Sequence, residues 1–410
     1  MQKPRGTEDL FELKARDFFA LEMIIRHVVD LYNYKEIKTP IFEMAELFKK
    51  SAGINTDVVA KEMYIFNDKK NREFALRPEG TAPVVRALLE NKLYIDEKLP
   101  LKFFYFGQMF RYERPQNGRK RQFYQFGIEL FGPDSIEADT EILCLAVNVL
   151  NSLGLQNYKV YINYLVIKEA REKYILDLKK QLSNLKLCDD CNLRIISNPL
   201  RILDCKIDQH KFNDLVNMKE YLTNDQKQYY SNLIKNLNNL EIKVIEDNLL
   251  VRGLDYYTGF VFEIKDEDGT TLVGGGRYNN LVGELGGNNL PACGFAFGVE
   301  RLITALENKK ISISQLAYLD VYILAISERA KIFSSILLLM LRSAGFKTDY
   351  NFMNKNIKSA FKYSEKLNAK NIIIIGDKEL NEGIVIIKEQ DKKNEIKVKF
   401  EEIVSHIGGK

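Results

Sequence analysis

Residues 110–126 read FRYERPQNGRKRQFYQF, in which four arginines and one lysine are interleaved with five aromatic residues. Cations between aromatic runs suit three arrangements. They could stack single-stranded nucleic acid on a sheet face, hold a phosphate-bearing small molecule in a pocket, or form a well-solvated hairpin tip with no chemistry. Strand periodicity narrows the choice. LKFFYFGQMFRYE and RQFYQFGIELFG read as two strands joined by RPQNGRK, with Asn117-Gly118 as the hairpin signal. Tyr105, Gly107, Met109 and Arg111 then share one face with Phe123, Gln125, Gly127 and Glu129. Phe104, Phe106, Phe110, Phe126, Ile128 and Leu130 take the other. The apolar residues are expected to gather on one side, leaving Arg111, Gln125 and Glu129 on the other. Opposite charges on such a face read as a pocket floor in preference to an exposed cross-strand ion pair.

Other residues of reactive type are sparse. Five cysteines include Cys188 and Cys191 in CDDC, with Cys205 further on, and the three histidines (His27, His210, His406) are scattered. A zinc site needs four suitable ligands, and no standard finger spacing is present even if His210 is counted. The sequence therefore predicts no metal site, only reduced thiols in a helical segment.

The elements that must position these residues follow from periodicity. Residues 8–35 carry a helical apolar rhythm that ends near EIKTPIFE, a strand with Pro40 at an edge or break. EFALRPEGTAPVVRALLE is a strand, a turn at Pro78–Gly80 and a helix starting near Thr81. Residues 137–153 form a helix and YKVYIN a strand. From 166 to 245 the chain becomes rich in Lys, Leu and Asn with few glycines, which suggests a helical insertion. Glycine-rich strands and a helix then return, and 305–317 reads as a linker. Strands and helices alternate from 318, as in a small α/β domain. Expected domains are thus 1–317, interrupted by 166–245, and 318–410.

The chain has 410 residues, 46% hydrophobic and 28% charged, with a net charge of +4. These values exclude a disordered chain and permit a nucleic-acid partner without demanding one. No apolar run reaches the roughly 18 residues of a membrane span, and the charged start lacks a signal-peptide core. A soluble cytoplasmic protein with no membrane partner is expected.

Several segments together resemble the class II aminoacyl-tRNA synthetases, in the form of the histidyl-tRNA synthetase family. FRYERPQNGRKRQFYQFGIE resembles motif 2 and GFAFGVERL motif 3. LVRGLDYYTG and GGGRYNNL resemble the two histidine-specific segments, LRPEGTAP the amino-acid-binding turn, and EIKTPIFE the dimer-forming motif 1. KPRGTEDL is similar to the family N-terminus. The resemblance implies a class II catalytic domain with a mixed, mostly antiparallel sheet, a helical insertion and a C-terminal anticodon-binding domain. It also implies a homodimer that uses ATP with Mg2+ to join L-histidine to its tRNA.

By the same resemblance, Arg111 and Arg252 are the catalytic cations at the α-phosphate and the amino-acid carboxylate. Glu113, Arg119, Gly298 and Arg301 complete the ATP site. Glu79, Gly80, Thr81 and Gln125 receive the histidine ammonium, while Glu129 and Tyr257 serve the imidazole, with Tyr256 and Tyr278 packed nearby. Arg121 shares the motif 2 loop with Arg119, where ATP and the tRNA end meet. One position departs from the family: Asn279 follows GGGRY where Asp is usual. In the C-terminal domain Lys355, Lys358, Lys362 and Lys366 are expected on one helix face. That stripe suits tRNA phosphates or plain solvent, and the family context favours tRNA.

Other readings have identifiable signatures. A non-enzymatic regulatory subunit of histidine biosynthesis would tend to lack the C-terminal domain and to erode the motifs. A sister synthetase would lack RGLDYY. A pure tRNA-binding module would have no use for Arg252.

Overall fold

The computed structural model describes residues 1–410 except 54–55, 97–98, 117, 213, 315–317, 354, 391–393 and 410. Asn117 of the expected hairpin turn and part of the expected linker therefore lie outside the described residues. The chain folds as two compact units, Met1–Ser314 and Gln315–Lys410.

The first unit is built on an eight-stranded sheet. Its spatial order is Lys35–Glu36, Leu101–Phe110, Gln122–Phe131, Ala292–Gly298, Thr271–Arg277, Gly259–Asp266, Tyr158–Leu165 and Val244–Glu246. Only the two outermost pairings are parallel; all the others are antiparallel. Helices Glu12–Leu31, Ile136–Ser152, Asn224–Asn239 and Val299–Asn308 contribute to the core on one face, with Phe104, Phe126, Ile128 and Leu130 from the hairpin. Helices Thr81–Glu90, Lys168–Leu182 and Asp189–Ser197 contribute to the second core.

That second core corrects one expectation. The apolar residues of the hairpin do not all go to one side: Phe103, Tyr105, Met109 and Phe123 pack on the other. The reason is that helices also cover this face, as both faces of a central strand pair demand. The polar residues occupy only the end of the face that no helix fills.

EIKTPIFE is also not one strand. Lys35–Glu36 joins the large sheet beside Leu101–Phe110, whereas Phe42–Met44 joins a separate three-stranded sheet with Glu73–Leu76 and Ile65–Asn67. Pro40, which has no N–H to offer a ladder, sits where the chain leaves one sheet for the other. The helix Val299–Asn308 runs into the stretch expected as linker.

Residues 168–239 carry three helices of nine residues or more, Lys168–Leu182, Asp189–Ser197 and Asn224–Asn239, with short 3-10 turns between them. The last opens on a capping box, in which Thr223 and Gln226 each satisfy the other's backbone N–H.

The second unit is a five-stranded sheet ordered Thr348–Tyr350, Leu319–Ala325, Ala369–Ile375, Ile384–Glu389 and Asn394–Lys399. The first three strands are parallel and the remainder antiparallel. Helices Glu328–Ser343 and Ile357–Lys366 make the crossovers. Lys355 precedes the second helix, whose N-cap is Asn356, and its ammonium sits 3.6 Å from the centre of the Tyr363 ring. The expected four-lysine stripe therefore shortens to Lys358, Lys362 and Lys366, all exposed.

Candidate active site

The polar end of the hairpin face opens into a cleft of about 1030 Å³, mouth included. Its lining includes Glu79, Thr81, Arg111, Glu113, Arg119, Gln125, Glu129, Arg252, Tyr256, Tyr257, Tyr278, Gly298 and Arg301. Gly80 does not line it but donates its N–H to Gln125 Oε1 at 3.1 Å. Arg121 lies off the cleft, its guanidinium 4.0 Å from the centre of the Tyr112 ring.

One half of the cleft is acidic and aromatic. Glu79 and Glu129 are buried, 2% and 1% exposed. Glu79 accepts the N–H groups of Thr81 and Ala82 at 2.6 and 2.9 Å, so it stabilises the start of the Thr81–Glu90 helix as well as facing the cleft. Glu129 accepts the hydroxyls of Thr81, at 2.7 Å, and Tyr278. Burial pushes the Glu129 carboxyl up to about 8, despite those two hydrogen bonds, and Glu79 raises it further. Burial raises Glu79 too. Tyr256 lies between Tyr257 and Tyr278, with ring centres 4.7 and 5.6 Å away. Gln125 Oε1 already accepts from Gly80, with the Tyr105 hydroxyl at 3.4 Å.

The other half is cationic. Arg111 leaves the end of its strand, donates from Nε to Pro78 O at 2.9 Å and lies over the Phe123 ring. Arg301 donates to Thr271 O at 3.0 Å. Its guanidinium is pushed below its ordinary value by burial and by Arg119 and Arg111, which marks a crowd of like charges. Arg119 is 3.5 Å from Glu113. Arg252 sits where the halves meet, 5.6 Å from the Tyr257 ring centre and ion-paired with Glu263. Burial opposes its charge most, and Glu263, Tyr257 and Tyr256 together outweigh it, so its pKa is raised. Its buried Nε–H has no acceptor among the described residues.

Several residues that shape the site were not singled out from the sequence. Glu263 faces Gly274 across adjacent strands, and a Cβ at Gly274 would fall inside the Arg252 guanidinium. Strand period on EIKD, with a glycine opposite, was the available signal. Arg77 is buried and ties Gln108 O to Thr39, with bonds of 2.8 and 2.9 Å, and thereby joins the two sheets beneath the cleft. Glu300 accepts the Tyr124 N–H and fixes the Val299–Asn308 helix to the hairpin. Glu8 pairs with Lys120 and Gly6 O accepts the Arg121 N–H, so the N-terminal segment holds the hairpin end.

Asn279 lies off the cleft and lines a separate depression with Asp134, Thr258 and Arg277. It donates to Asp134 at 3.2 Å and accepts from Ala292 N at 3.2 Å, next to the buried Arg277–Asp139 pair. An aspartate could not make the first of these bonds, so the amide suits its neighbours here.

A family model described as histidyl-tRNA synthetase matches residues 6–180 and 203–302. The chain belongs to the histidyl-tRNA synthetase family. A second model, described as an anticodon binding domain, matches residues 320–410 of this family member. The histidine–tRNA ligase of Mycoplasma mycoides subsp. mycoides is 48% identical over 412 residues, covering 99% of this chain and all of the relative. That of Mycoplasma capricolum subsp. capricolum is 48% identical over 413 residues, with 99% and 100% covered. The solved structure of apo S. aureus histidyl-tRNA synthetase is 34% identical, with a TM-score of 0.84 and 99% of each chain covered. The large mixed sheet and the small C-terminal domain are thus the family's architecture.

Proposed function

We propose that this chain activates L-histidine with ATP and transfers the histidyl group to the 3′ end of its cognate tRNA. Full-length relatives named as histidine–tRNA ligases support this enzyme, and not the regulatory-subunit alternative. One observation carries the residue-level reading: a single cleft has a cationic half and an acidic, aromatic half, with Arg252 between them.

In activation, a histidine carboxylate oxygen bonds to the α-phosphorus of ATP while the bond to the bridging oxygen breaks and pyrophosphate leaves. Arg111 and Arg252 approach the two anions and offset the charge that builds on the phosphoryl oxygens. Planar guanidinium forks suit paired oxygens better than an ammonium would. Arg301 and Arg119, with Gly298 at the start of the last helix of the unit, receive the rest of the nucleotide. Glu79, Gln125 and Thr81 face the ammonium, and Glu129 and Tyr257 the ring. A tRNA terminal hydroxyl then attacks the carbonyl carbon and AMP leaves.

Mg2+ takes carboxylates together with phosphate oxygens. Glu113 lines the cleft beside Arg119 with a loosely held carboxylate, so the donor type fits. Mg2+ held there would neutralise phosphate charge. A second copy of the chain would cover the small sheet, where Phe42, Phe66 and Phe74 cluster and Ile41, Met44 and Ile65 are exposed. No helix of the described residues is long and apolar enough to cross a membrane. A cytoplasmic reaction is in keeping with its use of tRNA and ATP.

Charging of purified tRNA with labelled histidine tests the whole reading. ATP-dependent histidyl-tRNA should form, and its absence with competent tRNA would refute the assignment. Gly274→Ala is expected to lower that rate about a hundredfold by misplacing Arg252. An unchanged rate would detach Arg252 from the site. Lys358→Glu with Lys362→Glu should weaken tRNA binding and reduce its salt slope by about 1.5. Filter binding at several salt concentrations checks this, and an unchanged slope would remove those lysines from the tRNA surface.

A further inference from the structure

The match to the histidyl-tRNA synthetase model breaks over 181–202, the stretch holding Cys188 and Cys191. The fold brings these two thiols together with Cys205 and Asp208, so that one donor atom from each lies within 4.8 Å of the others. His210, weighed in the sequence as a fourth ligand, is exposed and outside the group. Cys188 is the N-cap of the Asp189–Ser197 helix and Cys191 lies in its first turn. Cys205 and Asp208 belong to the turn that follows the helical turn Pro199–Ile202. Two separate Cys-x2-donor corners thus face each other.

One pair of sulfurs has the spacing of a tetrahedral thiolate site. Cys188 Sγ and Cys205 Sγ are 3.8 Å apart. Two thiolates on one tetrahedral zinc, each with a Zn–S bond of about 2.3 Å, stand about 3.8 Å apart. Asp208 Oδ2 is 4.0 Å from Cys205 Sγ.

Asp208 is fully buried, its Oδ2 accepting the Cys188 N–H at 2.8 Å and its Oδ1 the Lys211 ammonium at 2.6 Å. This puts a buried carboxylate oxygen beside three thiols, a donor set that suits a divalent cation. We propose that Cys188, Cys191, Cys205 and Asp208 form a structural Zn2+ site. Zinc is the fitting ion because three soft sulfurs and one carboxylate in a tetrahedron exclude Mg2+ and Ca2+. Zn2+ and Lys211 offset three of the four negative charges.

The site has no open position, so its role is structural. The segment it closes reaches the active-site walls. Arg194 pairs with Asp57 at 3.0 Å, and Asn198 donates to Asp255 at 2.9 Å, the residue beside Tyr256. The ion would hold the connection on which the tyrosine segment rests.

Elemental analysis of the full chain, purified under reducing conditions without added metal, is the first measurement. About one zinc per chain is expected. Exchange for Co2+ should give thiolate-to-cobalt charge transfer and the intense visible bands of a tetrahedral site. Asp208→Asn should weaken Zn2+ binding at least about tenfold, whereas His210→Ala should not change it. Zinc near zero together with no thiolate–cobalt band would overturn the proposal. So would metal lost by His210→Ala and kept by Asp208→Asn. The wild-type cobalt spectrum decides even if a cysteine variant fails to fold.

Discussion

Arg252→Ala is expected to slow histidine-dependent ATP–pyrophosphate exchange by about a hundredfold or more, the usual loss when one fixed charge at a transition state is removed. Histidine affinity should change much less. The split follows from position: Arg252 stands between the two halves of the cleft, so its charge matters most as carboxylate and α-phosphate join. Arg252→Lys keeps the charge but loses the fork, and should recover only part of the rate. Removing Arg252 also takes one of the two ion-pair partners of Glu263, leaving Lys265 at 3.3 Å, a cost to stability of its own. Arg252→Ala combined with Glu263→Gln separates the two effects: thermal stability should return and the rate should not. A rate near wild type in Arg252→Ala would contradict the role.

Glu129→Gln should act on specificity and on pH dependence together. Loss of the carboxyl partner for the imidazole should lower kcat/KM for histidine by about ten- to a hundredfold. The stability effect has a definite sign. Burial raises the Glu129 carboxyl from 4.5 to about 8, so the folded chain favours the protonated form. That contribution is fully present below about pH 4.5 and is lost as pH rises through about 8. Glutamine cannot ionise. The melting temperature of Glu129→Gln relative to wild type should therefore climb between pH 5 and about 8.5. Differential scanning calorimetry across that range checks it, and a difference that stays flat would show that Glu129 is ionised in the fold.

Local pattern went far in this chain because the site rests on a hairpin. Period two placed Arg111, Gln125 and Glu129 on one face, and all three line the cleft. The same pattern could not show that helices cover the rest of that face, because Phe103 and Met109 reveal their partners only through distant segments. Pro40 announced a break in its strand, but not that the chain would change sheets there. The Arg252–Glu263–Gly274 arrangement was hidden because it depends on cross-strand register. The cysteine cluster was out of sight for a related reason. Histidine was sought as the fourth member, whereas a turn brings Asp208 to the thiols and leaves His210 exposed. Lys355 shows the limit of helical spacing: it has the right interval and stands outside the helix.

Histidine-dependent ATP–pyrophosphate exchange by the wild-type chain, without tRNA, tests the central claim most directly. The divided cleft predicts rapid exchange with L-histidine and little with other amino acids, because a side chain lacking ring nitrogens would forfeit its hydrogen bonds to Glu129 and Tyr257. Exchange no greater than in a control without histidine would contradict the account.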